Sequence, residues 1–226
     1  MNAWAVVTTL NEAESIAGLV LGLREQELAV CVVDDASDDD TVYLARHAGA
    51  HVIAHMLRRG IGPSLVEGWR WALAQGATAV VQLDAGYSHS PYQAPWILGR
   101  LADADVVVGS RFRDGAVYHG SLRRQWLSRA AALGCNLRYC HALTGISDWT
   151  SGYRAFSASA LRKLARLNYT ATMHGWQIEV LLACRWLGLT VAEAPITYHG
   201  GRSSFNRRVA KEAFGVWNSR RFVSQS

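Results

Sequence analysis

Short apolar runs alternate with stretches whose apolar residues recur at helical spacing, and this alternation constrains the fold more than any single motif. Ala3 to Thr9 (AWAVVTT) reads as a buried strand. After the turn Leu10-Asn11-Glu12, Ile16, Leu19, Val20 and Leu23 mark a helix that Asn11 is placed to cap. Leu28 to Val33 form a second apolar run closed by Asp34 and Asp35, and Ser37 to Thr41 make a polar loop into the next helix. Ala50 to His55 supply a third strand. Strand and helix periods repeating at this pace predict βαβ units: an α/β fold with a mainly parallel central sheet flanked by helices.

The next segment, RRGIGPSLVEGWRWALAQG, sets Gly60 and Gly62 around Ile61, with Pro63 opening a helix. It lacks the Gly-Lys-Ser/Thr ending of a P-loop, although a glycine-rich helix start can approach a diphosphate closely. The fourth strand, in VVQLDAGYSHSP, delivers Asp84 at its end, followed by Ser88, His89 and Ser90-Pro91. In open α/β sheets ligands bind beyond the carboxyl ends of strands, so Asp84 suits a metal ion or a sugar hydroxyl; a turn-capping Asp is the plain alternative.

A helix over Tyr92 to Leu101 leads to a fifth strand ending at Gly109-Ser110-Arg111. A guanidinium there can grip a phosphate or offset charge on a leaving group. A long helical pattern covers Leu122 to Leu143, and Asp148 precedes a Thr-Ser-Gly turn. It is either a buried turn former or the base that takes a proton from an acceptor hydroxyl. His174 to Leu187 forms another helix carrying Gln177 and Glu179 near its start, and VAEAPITYHGGRSSFN reads as a last strand with a basic loop.

The balance of charge is +5, which favours anionic partners such as phosphates, nucleic acid or acidic lipid. No run is long and apolar enough to span a bilayer, and no secretory leader is evident. The four cysteines, Cys31, Cys135, Cys140 and Cys184, have no disulfide or zinc spacing, as expected of idle thiols in a reducing compartment. The expected location is cytoplasmic, either peripheral to a membrane or in a virus-infected cell. The expected organisation is one domain over residues 1–206, followed by a basic amphipathic helix or tail over 207–226.

Eight segments in order, TTLNEAESI, VVDDASDDDT, GIGPSLVEGW, LDAGYSHSP, VVVGSRF, SDWTSGYRAF, WQIEVLL and APITYHGGRSSF, resemble glycosyltransferase family 2. They are most similar to its dolichol-phosphate mannose synthase and polyprenyl-phosphate branch. The resemblance implies a GT-A fold, a nucleotide-diphosphate sugar as donor, and inverting hexose transfer. It implies that Thr8, Asn11, Glu12, Asp34, Asp35, Ser37, Gly60 and Gly62 surround the nucleotide. Asp84 would hold Mg²⁺ or Mn²⁺, Arg111 would face phosphate, and the stretch Asp148 to Arg154 with Gln177 and Glu179 would line the sugar and acceptor side.

Three positions depart from the pattern. Gly86 stands where the family's Asp-x-Asp motif has its second carboxylate, leaving Ser88 or His89 as substitutes. Thr8 replaces an opening proline. The basic residues of the C-terminal motif are displaced, which leaves Arg202 and Arg207 as candidates for an acceptor phosphate. Two acceptors are therefore expected: a polyprenyl phosphate, which needs no strong base, or a hydroxyl of a macromolecule such as 5-hydroxymethylated DNA, which needs Asp148. A non-catalytic nucleotide-sugar-binding protein is the remaining reading.

Overall fold

The computed structural model describes residues 2–139, 145–200 and 215–216. Seven strands build the main sheet: β1 (Ala3–Thr9), β2 (Ala29–Asp34), β3 (His51–Ala54), β4 (Ala79–Asp84), β5 (Val106–Ser110), β7 (Arg154–Ser157) and β8 (Val191–Pro195). Their order is β3-β2-β1-β4-β7-β5-β8. All neighbours run parallel except β7, which is inserted antiparallel between β4 and β5. The short strands β6 (Val117–His119) and β9 (Thr197–His199) pair separately.

Side chains alternate between the two faces of a strand, and the core divides accordingly. Val6, Val33, Val80, Val106 and Val108 pack on one face with Leu65 and Trp69 of α3 (Ile61–Ala74), Leu161 of α6 (Ala158–Leu164), and Trp176 and Val180 of α7 (Gly175–Trp186). Ala5, Val7, Val32, Val81 and Val107 pack on the other with Ile16 and Leu23 of α1 (Ile16–Glu25), Ala45 of α2 (Thr41–His47) and Ile97 of α4 (Ala94–Gly99). Runs buried on both faces explain why the strands read as continuous apolar sequence.

Core and site are joined through Trp69. This fully buried indole donates to Gln82 Oε1 at 3.1 Å, and Gln82 Nε2 donates to Gly152 O at 3.2 Å. Truncating Trp69 would cost about 3–5 kcal/mol and release the Gly152 turn as well.

Three local expectations are corrected. Asn11 does not cap α1, which opens after Ser15; Asn11 has φ 54° and its Oδ1 accepts from Asp38 N at 3.0 Å. The helix expected over Tyr92 to Leu101 is α4 between two 3₁₀ turns, Pro91–Gln93 and Arg100–Ala102. Pro91 and Pro95 remove backbone donors at its start. The long helix is α5 (Leu122–Arg138); its expected continuation to Leu143 lies outside the described residues.

Candidate active site

Because β1, β2, β4 and β5 are mutually aligned, their carboxyl ends share one edge of the sheet. Register places Thr8 beside Asp84 and Thr9 beside Asp34 on neighbouring strands. β7 runs the other way, so the turn before Arg154 opens at the same edge, with Gln82 of β4 opposite Arg154. Thr8, Asp34, Asp84, Arg111 and Gly152 thus meet there although they are spread along the chain.

On the β1–β2 side the loops are tied by side chains. Asp34 accepts from Ser37 N at 2.9 Å and from Ser37 Oγ, and Ser37 Oγ in turn accepts from Asn11 N at 2.8 Å. Asp35 accepts from Arg59 N at 2.7 Å, Gly60 N at 2.9 Å and His55 Nδ1 at 3.1 Å. Burial raises its pKa, but those donors outweigh burial and hold it below the usual carboxylate value. Asp35 therefore fixes the Gly60–Gly62 turn against the end of β2. Gly62 is backed by Trp176, and its N–H donates to Thr172 O at 3.1 Å.

Asp84 is half-buried, and its Oδ1 accepts from Thr8 Oγ1 at 3.4 Å. A Cβ built on Gly152 would lie 3.0 Å from Asp84 Oδ2 and 3.3 Å from Gln177 Nε2, so carboxylate and amide border one point. Gln177 is 3% exposed, and among the described residues its Oε1 has no hydrogen-bond partner. The hard oxygen donor at this point is the Asp84 carboxylate, a ligand type that suits a divalent cation. Among the described residues no three His, Cys, Asp or Glu side chains converge on a cation site.

His89 does not extend that set. Its ring is buried between Tyr153 and Tyr198, at centroid distances of 5.0 and 5.3 Å, and burial lowers its pKa to about 4, only partly opposed by Asp84. It is a neutral wedge between the β4 loop and β9. Ser88 O accepts from His199 N at 3.0 Å, which ties the same two segments.

The β5 side centres on Arg111. Its Nε donates to Asp148 Oδ2 and its Nη2 to Asp148 Oδ1, both at 2.7 Å. Arg111 N adds a bond to Oδ2 at 3.0 Å, and Nη2 also reaches Thr150 Oγ1 at 2.7 Å. Asp148 is fully buried. Burial alone would raise its pKa, but the Arg111 charge and hydrogen bonds prevail and lower it. Both carboxylate oxygens are engaged by Arg111, which favours the reading of Asp148 as a buried residue that holds the turn and positions Arg111 over that of a base. Among the described residues no group pairs with Arg111 Nη1, and the guanidinium carbon lies 5.2 Å from the Tyr198 ring centroid. This edge is poised for an anion.

Glu179 is also corrected. Its carboxylate accepts from Thr170 N, Thr170 Oγ1 and Ala171 N at 2.9–3.0 Å, so it organises the 169–172 loop and not a sugar pocket. Arg202 and Arg207, and the tail expected over 207–226 apart from Gly215 and Val216, lie outside the described residues.

Sequence reading missed Glu193, whose carboxylate accepts from Ser147 N, Ser147 Oγ and Asp148 N and so holds the Asp148 turn from β8. Its signal was an acid inside an apolar strand. It also placed Arg154 at the end of a stretch that would line the sugar and acceptor side. That residue is fully buried and donates to the carbonyls of Ser151, Gln177 and Trp149, with its pKa lowered to about 10 by burial.

Glycosyl transferase family 2 matches residues 4–165. The chain belongs to this family. It is a glycosyltransferase with the GT-A fold. It is 34% identical over 209 residues to an undecaprenyl-phosphate mannosyltransferase of Micrococcus luteus, covering 88% of this chain and 84% of that protein. It is 30% identical over 205 residues to a polyprenol monophosphomannose synthase of Mycolicibacterium smegmatis, covering 85% and 76%. Its fold is similar to that of glucosyl-3-phosphoglycerate synthase from Mycobacterium tuberculosis in complex with Mn²⁺ and UDP-glucose. That similarity has a TM-score of 0.73 at 23% identity, over 95% of this glycosyltransferase and 76% of the other chain.

Proposed function

We propose that this glycosyltransferase moves a hexose from a nucleotide-diphosphate sugar to a polyprenyl phosphate with inversion. The observation that carries the reading is the Arg111–Asp148 fork. With Asp148 committed to Arg111, the site's best-placed carboxylate is unavailable as a base. A phosphate acceptor is already anionic at neutral pH and needs none, whereas a hydroxyl acceptor does. The Micrococcus luteus and Mycolicibacterium smegmatis relatives carry a polyprenyl phosphate and mannose in their names, which supports the same acceptor and makes mannose the first sugar to test.

In the reaction a phosphate oxygen of the acceptor attacks the anomeric carbon while the bond from that carbon to the diphosphate oxygen breaks. The diphosphate leaves with the electron pair, and no proton has to move. Arg111 Nη1 orients the acceptor phosphate. Asp148, Thr150 and the Tyr198 ring keep the guanidinium in place, so that little reorganisation is needed as charge shifts. The loops bearing Asn11, Asp34 and Gly60 enclose the nucleotide. A divalent cation, Mg²⁺ or Mn²⁺, held at Asp84 would neutralise charge on the departing diphosphate.

A surface near the site supports a lipid acceptor. Leu122, Trp126, Leu133 and Leu137 of α5 are 60–72% exposed. Their spacing puts them on one stripe, with exposed Arg123, Arg129 and Arg138 on the same helix. Ala132 and Cys135 on the opposite side are buried. An apolar stripe with basic flanks suits an anionic bilayer surface. No described helix is long and apolar enough to cross a membrane, so contact would be peripheral.

The test is a mass-spectrometric transfer assay with a pool of nucleotide sugars and Mn²⁺, offering a short polyprenyl phosphate or DNA containing 5-hydroxymethylpyrimidines. The expected result is a hexose-sized gain on the lipid alone. A gain on DNA would overturn the acceptor assignment, and donor binding without transfer to either would favour a non-catalytic protein.

A further inference from the structure

Gly86 replaces the second carboxylate of the Asp-x-Asp motif, and its backbone shows that this is more than a side-chain deletion. Its φ is 112°, a conformation L side chains rarely adopt, so the loop after β4 is built around glycine here. The space that a side chain would take is bordered by another acid. A Cβ built on Gly86 would lie 3.5 Å from Glu12 Oε2 and 3.7 Å from Glu12 Oε1.

Glu12 follows β1 as Gly86 follows β4, and these strands are neighbours joined by Thr8 and Asp84. The backbone of Glu12 is fixed by a hydrogen bond from its N–H to Thr41 Oγ1 at 2.8 Å, and Ser15 Oγ donates to its Oε2 at 3.1 Å. The carboxylate is therefore oriented and not a loose surface acid. On the Gly152 side of Asp84 sits the Gln177 amide, whose Nε2 borders the same point as Asp84 Oδ2.

We propose that Glu12 supplies the second carboxylate of the cation site, reaching from the β1 loop into the space left at Gly86. The inference rests on the reading of Asp84 as the cation's first protein ligand. A hard divalent ion needs several oxygens, and one aspartate holds it weakly. Asp84 and Glu12, with the donor diphosphate, restore two carboxylates by a different route through the chain. This moves Glu12 from the nucleotide contacts to the cation.

The test measures Mn²⁺ retention by paramagnetic resonance of the free ion, using full-length protein with GDP and separately with UDP. Glu12→Gln, which keeps the shape and can still accept from Ser15, is expected to weaken Mn²⁺ binding by about tenfold or more. Its nucleotide affinity in EDTA should stay at the wild-type level. Asp84→Asn serves as the control for the underlying reading. If Asp84→Asn loses Mn²⁺ and Glu12→Gln keeps it, the Glu12 assignment is wrong and the Asp84 site stands. If the wild type retains no Mn²⁺ with either nucleotide, both are wrong. An equal loss of nucleotide affinity with and without Mn²⁺ in Glu12→Gln would return Glu12 to the nucleotide.

A second pair of variants does not depend on Glu12→Gln folding well. Gly86→Ala and Gly86→Asp share the backbone strain and differ in the carboxylate. In EDTA the aspartate variant should melt lower than the alanine variant, because its charge sits against Glu12, and Mn²⁺ with nucleotide should raise it more. Equal melting of the two in EDTA overturns the proposed proximity of charge.

Discussion

Asp148 and Arg111 meet in a two-point fork, with both side-chain contacts at 2.7 Å and the carboxylate fully buried. Removing one partner strands the other's charge out of water. Asp148→Asn and Arg111→Ala are each expected to cost about 3–5 kcal/mol of stability and to abolish most transfer. The double variant Arg111→Met with Asp148→Leu should regain much of the stability, since a well-packed apolar pair often replaces a buried ion pair, but none of the activity. Denaturant titration and the lipid transfer assay check both halves. A stable Asp148→Asn protein that binds donor and fails only in turnover would restore Asp148 as a base.

His89 ties stability to pH with a definite sign. Its folded pKa of about 4 lies below the usual histidine value of about 6.5, so the unfolded chain binds the proton more readily. Its contribution is fully present above about 6.5 and is lost as pH falls toward about 4, a difference of roughly 3 kcal/mol. His89→Phe keeps a ring between Tyr153 and Tyr198 without a titrating group. Urea denaturation at pH 7 and pH 5 should show a smaller acid loss in the variant than in the wild type. Equal losses would mean that water reaches His89.

Glu179 is expected to act on structure alone. Glu179→Ala leaves Thr170 N and Ala171 N without their acceptor, a loss of about 1–3 kcal/mol for each group that stays buried and unsatisfied. Hydrogen exchange should rise at Thr170 and Ala171, while donor affinity at a temperature where the variant is folded stays near wild type. A selective rise in donor KM without a stability change would return Glu179 to the sugar pocket.

What the sequence made legible follows from which forces are local. Asp84 and Arg111 could be picked out because each ends an apolar run, and strand ends in a parallel sheet share one edge. The direction of β7 could not be read, because a strand as short as RAFS looks alike in either sense. Nor could the partner of Asp148, because Arg111 lies 37 residues away and only the insertion of β7 brings the two together. Gln177 and Glu179 sit two apart on α7, where side chains diverge, so one reaches the edge beside Asp84 and the other turns to Thr170.

The stripe on α5 leads to a prediction that separates membrane contact from catalysis. Trp126 and Leu133 are 70% and 60% exposed, so replacing them with glutamate removes little packing and should change stability by less than about 0.5 kcal/mol. Transferring those side chains into a bilayer interface is favourable, whereas two added carboxylates are repelled by acidic lipid. In vesicle sedimentation the wild type should bind phosphatidylglycerol-rich vesicles better than neutral ones, with binding falling as salt rises. Trp126→Glu with Leu133→Glu should reduce that binding several-fold. Transfer to a lipid acceptor embedded in vesicles should fall in parallel, while transfer to a short, water-soluble polyprenyl phosphate is retained, because Arg111 and Asp84 are untouched. Unchanged vesicle binding in the double variant would show that the stripe is not the contact surface.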